Sequence, residues 1–272
     1  MRKIIPAVTK KLFLIPMRSN TMSLLNTISK PVNKYRLFTI YGGAGIGKTS
    51  LASTFPAPIF IRAEDGLSSV PANAMPDAFP LLNSSDEVYQ QLLALINENH
   101  QYKTLVIDSI SKLDRLFTEE VTKGNTSAKA LALAMGGYGA GYQALSAMHG
   151  RVRKACQLLV DKKDMNIIFL SHAELNTIDL PDSEPYQQFG LKMEKKSQSH
   201  YIDDVDFVGY MRLETFVMKD EQKKSKAKST GERIIQCTSA ASSVSKNRMG
   251  ITDDIFVQHG INPFMTFLGE QQ

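Results

Sequence analysis

"YGGAGIGKTS", residues 41–50, decides how the rest of this chain is read. Gly42 and Gly47-Lys48-Thr49 fit the spacing G-x-x-x-x-G-K-[ST]. Glycines let a backbone curl around phosphate oxygens and turn several N–H groups inward. A helix beginning just after them aims its N-terminus at the same anion. The candidate nucleotide cradle is therefore Gly42, Gly43, Ala44, Gly45, Ile46, Gly47, Lys48, Thr49 and Ser50. Lys48 would reach the β- and γ-phosphates of ATP, and Thr49 would coordinate Mg²⁺. Four fixed positions match by chance in about one chain in a hundred of this length. Here a strand-like run precedes the glycines and a helix-like run follows, as the chemistry requires.

Working outward, apolar runs of strand length alternate with helical segments, the pattern of an α/β domain with a mainly parallel sheet flanked by helices. "RLFTIY" (36–41), "PIFIRAE" (58–64), "KTLVIDS" (103–109) and "NIIFLSH" (166–172) read as strands. Residues 48–55, 84–100 and 140–162 read as helices. In the second of these, Ser84 and Glu87 have capping-box spacing, and Val88, Leu92, Leu95 and Ile96 share one face. Then the pattern changes. "DFVGYMRLETFVMKD" and "GERIIQCTSA" read as an antiparallel C-terminal hairpin, with a lysine-rich tip at 221–230.

Two acids complete a phosphate-transfer site. Leu105, Val106 and Ile107 lead into Asp108, and a buried strand that ends in an acid delivers it to the crevice at the sheet's carboxyl edge. Asp108 is the second candidate Mg²⁺ ligand, acting through water. The strand after the cradle ends in "RAEDG", where Glu64, or else Asp65, could polarise an attacking water. His172, closing another strand, could sense the γ-phosphate. In "SKNRMG" (245–250), Lys246 and Arg248 alternate and so face the same way on an extended segment. Two such cations could act on the phosphate of a neighbouring subunit.

The 272 residues suit one large domain, expected over 31–272. The composition, 43% hydrophobic and 22% charged, is that of an ordinary globular protein. No apolar run reaches the roughly 20 residues of a membrane-spanning helix. Two distant cysteines exclude a CxxC zinc site or disulfide framework and point to a reducing cytoplasm. The net charge of +5 is uneven: residues 1–63 hold ten Lys/Arg and no acid, and the remainder is net −5. Residues 1–30 are expected to be a basic extension, disordered or the product of a start codon placed too early, with Met17 and Met22 as alternative starts.

Taken in order, "GGAGIGKTS", "RAEDG", "LVIDS", "GYGAGY", "IIFLSHAE" and "KNRMG" resemble the RecA-like P-loop ATPase core. The likeness runs over about residues 35–258 and is greatest to small phage nucleotide-binding proteins associated with recombination and single-strand annealing. The last segment also resembles the finger of DnaB-type helicases. The resemblance implies a DNA-stimulated, Mg²⁺-dependent ATPase in a bacterial host's cytoplasm, encoded by phage or prophage. It implies a homo-oligomeric ring or filament in which Lys246 and Arg248 act in trans. It further implies single-stranded DNA, and a single-strand-binding or annealing protein, as partners. A RecA-type sensor is often Gln where this chain has His172.

By the same resemblance, DNA would meet the segment after His172, "GLKMEKKSQSHY" (190–201). Lys192, Lys195 and Lys196 would neutralise phosphates, and Tyr201 or Phe189 would stack on bases. "GGYGAGYQ" (136–143) is either a second DNA-facing loop or a glycine-loosened helix start. Two alternatives stay open: a non-hydrolysing, ATP-controlled loader or adaptor, and a DnaB-like helicase motor. A small-molecule kinase ranks last, because no arginine-bearing lid is evident.

Overall fold

The computed structural model describes residues 24–30, 36–123, 130–182, 184–219 and 225–268, with the backbone alone at 24, 26, 216–219 and 225–228. They belong to two units, Met1–Asn33 and Lys34–Gln272. In the first, the described residues make one 3-10 turn, Leu24–Thr27. Most of the expected basic extension and the centre of the lysine-rich tip lie outside the described residues.

The second unit begins with β1, Leu37–Gly42, a run of apolar and aromatic residues buried throughout. Such a strand can only be central. β1 pairs in parallel with β5, and on its other side with β7. The elements follow as α1 (Lys48–Ala52), β2 (Pro58–Arg62), β3 (Asp77–Ala78), α2 (Ser85–Asn97), β4 (Thr104–Asp108) and α3 (Ile110–Thr122). Then come α4 (Ala140–Lys163), β5 (Asn166–Ile178), β6 (Tyr186–Leu191), α5 (Lys195–Ile202), β7 (Phe207–Lys219), β8 (Ser225–Gln236), β9 (Lys246–Asn247) and β10 (Ile255–Phe256). The sheet order is β10-β8-β7-β1-β5-β4-β2-β3. The core strands are parallel, and β8 returns antiparallel to β7 as the expected C-terminal hairpin.

Alternation along the strands divides the core between two faces. Tyr41, Ile61, Ile107 and Phe169 meet Leu92 of α2, Phe117 of α3 and Val152 of α4. Phe38, Ile40, Phe60 and Val106 meet Leu51 of α1 and the C-terminal Phe264 and Leu268. The ring of Phe38 lies 5.8 Å from Phe55 and 5.5 Å from Phe264. Truncating such a buried Phe to Ala costs about 3–5 kcal/mol.

Three local readings change. The helix expected over 48–55 ends at Ala52. Ser84 occupies the N-cap of α2 without a side-chain bond; instead the Glu87 carboxylate accepts from the Asn83 N–H at 2.8 Å. The strand expected to end at His172 continues to Ile178, because its outer half leaves the main sheet and pairs antiparallel with β6.

Register sets the site. Gly42 pairs with His172, Asp108 with Leu170, and Arg62 with Asp108. The carboxyl ends of β1, β2, β4 and β5 therefore open on one edge of the sheet. β9 pairs Lys246 with Val208 and Asn247 with Phe207, and Phe207 also pairs with Phe38, so β9 lies toward the opposite edge.

Candidate functional site

α1 starts directly from the glycine loop. Gly47 caps it at φ 103°, a left-handed conformation open to glycine at little cost. Lys48 is buried, and its Nζ donates to the carbonyls of Gly42 at 3.0 Å and Gly43 at 2.9 Å. Burial lowers its pKa, against the pull of the Asp108 and Glu64 carboxylates. An ammonium that holds only neutral carbonyls in a buried place is suited to accept an anion.

Thr49 Oγ1 donates to Asp108 Oδ2 at 2.8 Å. Asp108 is 3% exposed. Burial pushes its carboxyl up to about 6, with the charge of Glu64 adding to the effect and the Thr49 bond and Lys48 opposing it. The "RAEDG" turn passes close overhead. A Cβ on Gly66 would sit 2.7 Å from Asp108 Oδ2 and 2.9 Å from Thr49 Oγ1, so a larger residue there would push against that pair.

This pair fits Mg²⁺. Among the described residues, no three His, Cys, Asp or Glu side chains converge as a self-sufficient cage. Mg²⁺ takes one or two protein oxygens and completes its shell with phosphates and water. The buried carboxylate, short of positive partners, would be relieved by such a cation.

Glu64 faces the same cavity. His172 Nε2 lies 3.0 Å from its Oε1 and 3.2 Å from its Oε2, so the imidazole N–H donates to the carboxylate. Burial alone would raise the Glu64 pKa. Hydrogen bonds from His172 and Ser109, with the charges of His172 and Lys112, more than offset this and hold it below the ordinary value. Asp65 lines the same cavity, but its carboxylate forms an exposed ion pair with Arg62 at 3.4 Å. The cavity, about 510 Å³, brings together Ala44, Gly45, Gly47, Lys48, Thr49, Ser50, Glu64, Asp108 and His172. Gly42 closes β1 against the Met211 carbonyl, Gly43 lies in the loop, and Ile46 packs on the α1 side of the core.

The sequence profile of the AAA domain family matches residues 34–249. The chain belongs to that family. This AAA domain is a P-loop ATPase, with the mainly parallel α/β sheet its sequence led one to expect. The fold is similar to that in the crystal structure of the RadB recombinase, at 13% identity and a TM-score of 0.43, over 74% of this chain and 79% of that one. No curated protein matches the AAA domain chain significantly. Among the described residues, no helix is long and apolar enough to cross a membrane.

The residues expected to meet DNA are split by the fold. A second cavity of about 680 Å³ shares Ala44, Glu64 and His172 with the first, and Lys192 lines it. The Lys192 N–H donates to the His172 carbonyl at 2.9 Å. Lys195 and Lys196 are exposed on the first turn of α5, and Lys196 Nζ lies over the Tyr142 ring at 5.3 Å. Tyr201 requires correction. It is fully buried, with its hydroxyl on His149 Nδ1 at 2.9 Å, so its ring has no face for a base. Helical phase is the reason: Tyr201 lies four residues beyond Ser197, on the inward face of α5.

Lys246 and Arg248 do not reach this chain's own cradle. The Lys246 ammonium donates to the Asp203 carbonyl, and Arg248 pairs with Asp206 at 3.4 Å, both at the other edge of the sheet. Conversely, Arg233 of β8 and His259 line the cradle, although no motif singles out either. The usable signal was the strand alternation in "GERIIQ", which places Arg233 on the face of buried Ile235.

Proposed function

We propose that the chain is a Mg²⁺-dependent ATPase that works as an oligomer on single-stranded DNA, in recombination or annealing of the phage type. One observation carries this reading. Glu64 and Asp108 converge with Lys48 and Thr49 in one cavity, and the partner of Glu64, His172, is bonded through its backbone to Lys192 in the next.

Lys48 and the loop N–H groups would hold the β- and γ-phosphates. Mg²⁺ on Thr49, and through water on Asp108, would neutralise charge on those phosphates. Glu64, ionised at neutral pH, would take the proton of the attacking water, while His172 orients its carboxylate. A shift of His172 would be passed to Lys192, which with Lys195 and Lys196 would meet DNA phosphates. Lys246 and Arg248, remote from their own cradle, would serve the ATP of an adjacent protomer in a ring or filament. Resemblance to phage proteins supports a bacterial cytoplasm and a single-strand-binding or annealing partner.

The test is the ATP hydrolysis rate with and without single-stranded DNA, alongside particle size with a non-hydrolysable analogue. DNA-raised turnover and nucleotide-dependent assembly are expected. Tight ATP binding without turnover would favour the loader or adaptor instead.

A further inference from the structure

The cradle has two sides. His172, Asp108 and Glu64 stand on or just after β5, β4 and β2, all to one side of β1. Arg233 stands on β8, to the other side. Met211 pairs with both Gly42 and Ile235, so Arg233 lies two residues, about 7 Å, past the end of β1, level with the loop. It shares a strand face with Ile235, which packs with Leu51 of α1. A Cβ added at Gly47 would sit 3.5 Å from Arg233 Nε.

The backbone there is clamped. Arg233 pairs with Leu213, and its carbonyl accepts from the Val257 N–H at 2.8 Å just after β10. The guanidinium itself is half-buried and, among the described residues, has no hydrogen bond or acidic partner. It is a planar fork of five donors aimed into the cavity that holds Lys48. Ser50 of α1 lines that cavity with it, and His259 closes the same side. Both Val257 and His259 lie beyond residue 249, where the family match ends.

We infer that Arg233 is a nucleotide-affinity residue acting in cis: its guanidinium grips phosphate oxygens on the nucleoside side of the polyphosphate, with residues 257–261 walling that side. The inference rests on the ATPase reading above and deepens it. The bond to the terminal phosphate breaks on the opposite side, by Glu64 and Asp108. Arg233 therefore binds nucleoside di- and triphosphates alike, and uniform binding lowers KM without raising kcat.

The experiment compares wild type, Lys48→Ala, Arg233→Ala and Arg233→Lys. It measures the Kd of ADP and of a non-hydrolysable ATP analogue, with kcat and KM for ATP. Arg233→Ala should weaken both nucleotides by about tenfold or more, as loss of a charge-assisted hydrogen bond does, and raise KM with kcat held. Arg233→Lys should fall between, since it keeps the charge and loses the fork. Unchanged affinity for both ligands overturns the inference. So does a fall in kcat with ADP binding intact, which would put Arg233 at the terminal phosphate. Nucleotide binding by wild type and its loss in Lys48→Ala keep the ATPase reading standing whichever way Arg233 falls. A wild type that binds no nucleotide overturns both.

Discussion

His172 Nε2 sits 3.0 Å from Glu64 Oε1, although 108 residues separate the two in the chain. They belong to β5 and the turn after β2, with β4 and its Asp108 between. The His172 N–H also donates to Ser111 Oγ at 3.0 Å, so the imidazole is held by its own backbone. A carboxylate fixed this way is ionised and aimed. Glu64→Gln should cut ATP turnover by about 100-fold or more while leaving nucleotide affinity within a few-fold. His172→Gln keeps a donor and should stay nearer wild type than His172→Ala. Phosphate release and a binding titration read both. A Glu64→Gln enzyme of full activity would remove Glu64 as the base.

Asp108 is buried beside Thr49, with too little positive charge nearby. Asp108→Asn should abolish the Mg²⁺ dependence of nucleotide binding. It should not destabilise the nucleotide-free protein, because it removes a desolvated charge and keeps an acceptor for Thr49. Urea unfolding without nucleotide checks the second part. A loss above about 1 kcal/mol would mark Asp108 as structural.

Lys192, Lys195 and Lys196 are exposed, the first beside the second cavity and the others on the first turn of α5. Replacing all three with Ala should weaken single-stranded DNA binding and flatten its log–log salt dependence by about 2. Tyr201→Phe should leave DNA affinity unchanged and reduce stability by about 1 kcal/mol, the worth of its hydroxyl bond to His149. A salt slope untouched by the lysine changes would move the DNA site elsewhere.

Arg248 and Lys48 face opposite edges of the sheet. Mixing Arg248→Ala protomers with Lys48→Ala protomers should therefore restore part of the ATPase activity that each lacks alone. A mixed interface would join an intact cradle to an intact finger. Assembled mixtures with no recovery would exclude action in trans.

His149 is fully buried between two partners. Its Nε2–H donates to Asp114 Oδ1 at 3.0 Å and its Nδ1 accepts from Tyr201 at 2.9 Å, both served by the neutral ring. Burial holds its pKa below the ordinary 6.5, against the pull of Asp114 and with help from nearby His200. The unfolded chain therefore takes up a proton that the folded chain refuses. Stability present above about pH 6.5 should fall as the pH drops below it. Urea midpoints from pH 7.5 to 5.5 should decline, and less so in His149→Gln. Equal slopes would assign the effect to other groups.

The cradle was legible because its chemistry is local. Ten consecutive residues specify the turn conformations, the cation and the helix start, and a branched apolar run marks the strand that ends in Asp108. The hairpin of β7 and β8 was legible from its alternation. Tyr201 was misread because composition alone does not give helical phase. The strand end at His172 was misread because pairing with β6, 8 to 18 residues downstream, carries β5 onward.

By itself, then, the sequence determined an α/β domain with a phosphate cradle and an acid at the end of another strand. Short-range backbone geometry and apolar periodicity suffice for that. Only the tertiary structure decided that Glu64 meets His172, that Arg233 closes one flank of the cradle, and that Lys246 and Arg248 stand at the far edge. Those relations depend on strand order and register. Both are set by burying the two faces of β1 at once, and that is a property of the whole sheet and of no single stretch of chain.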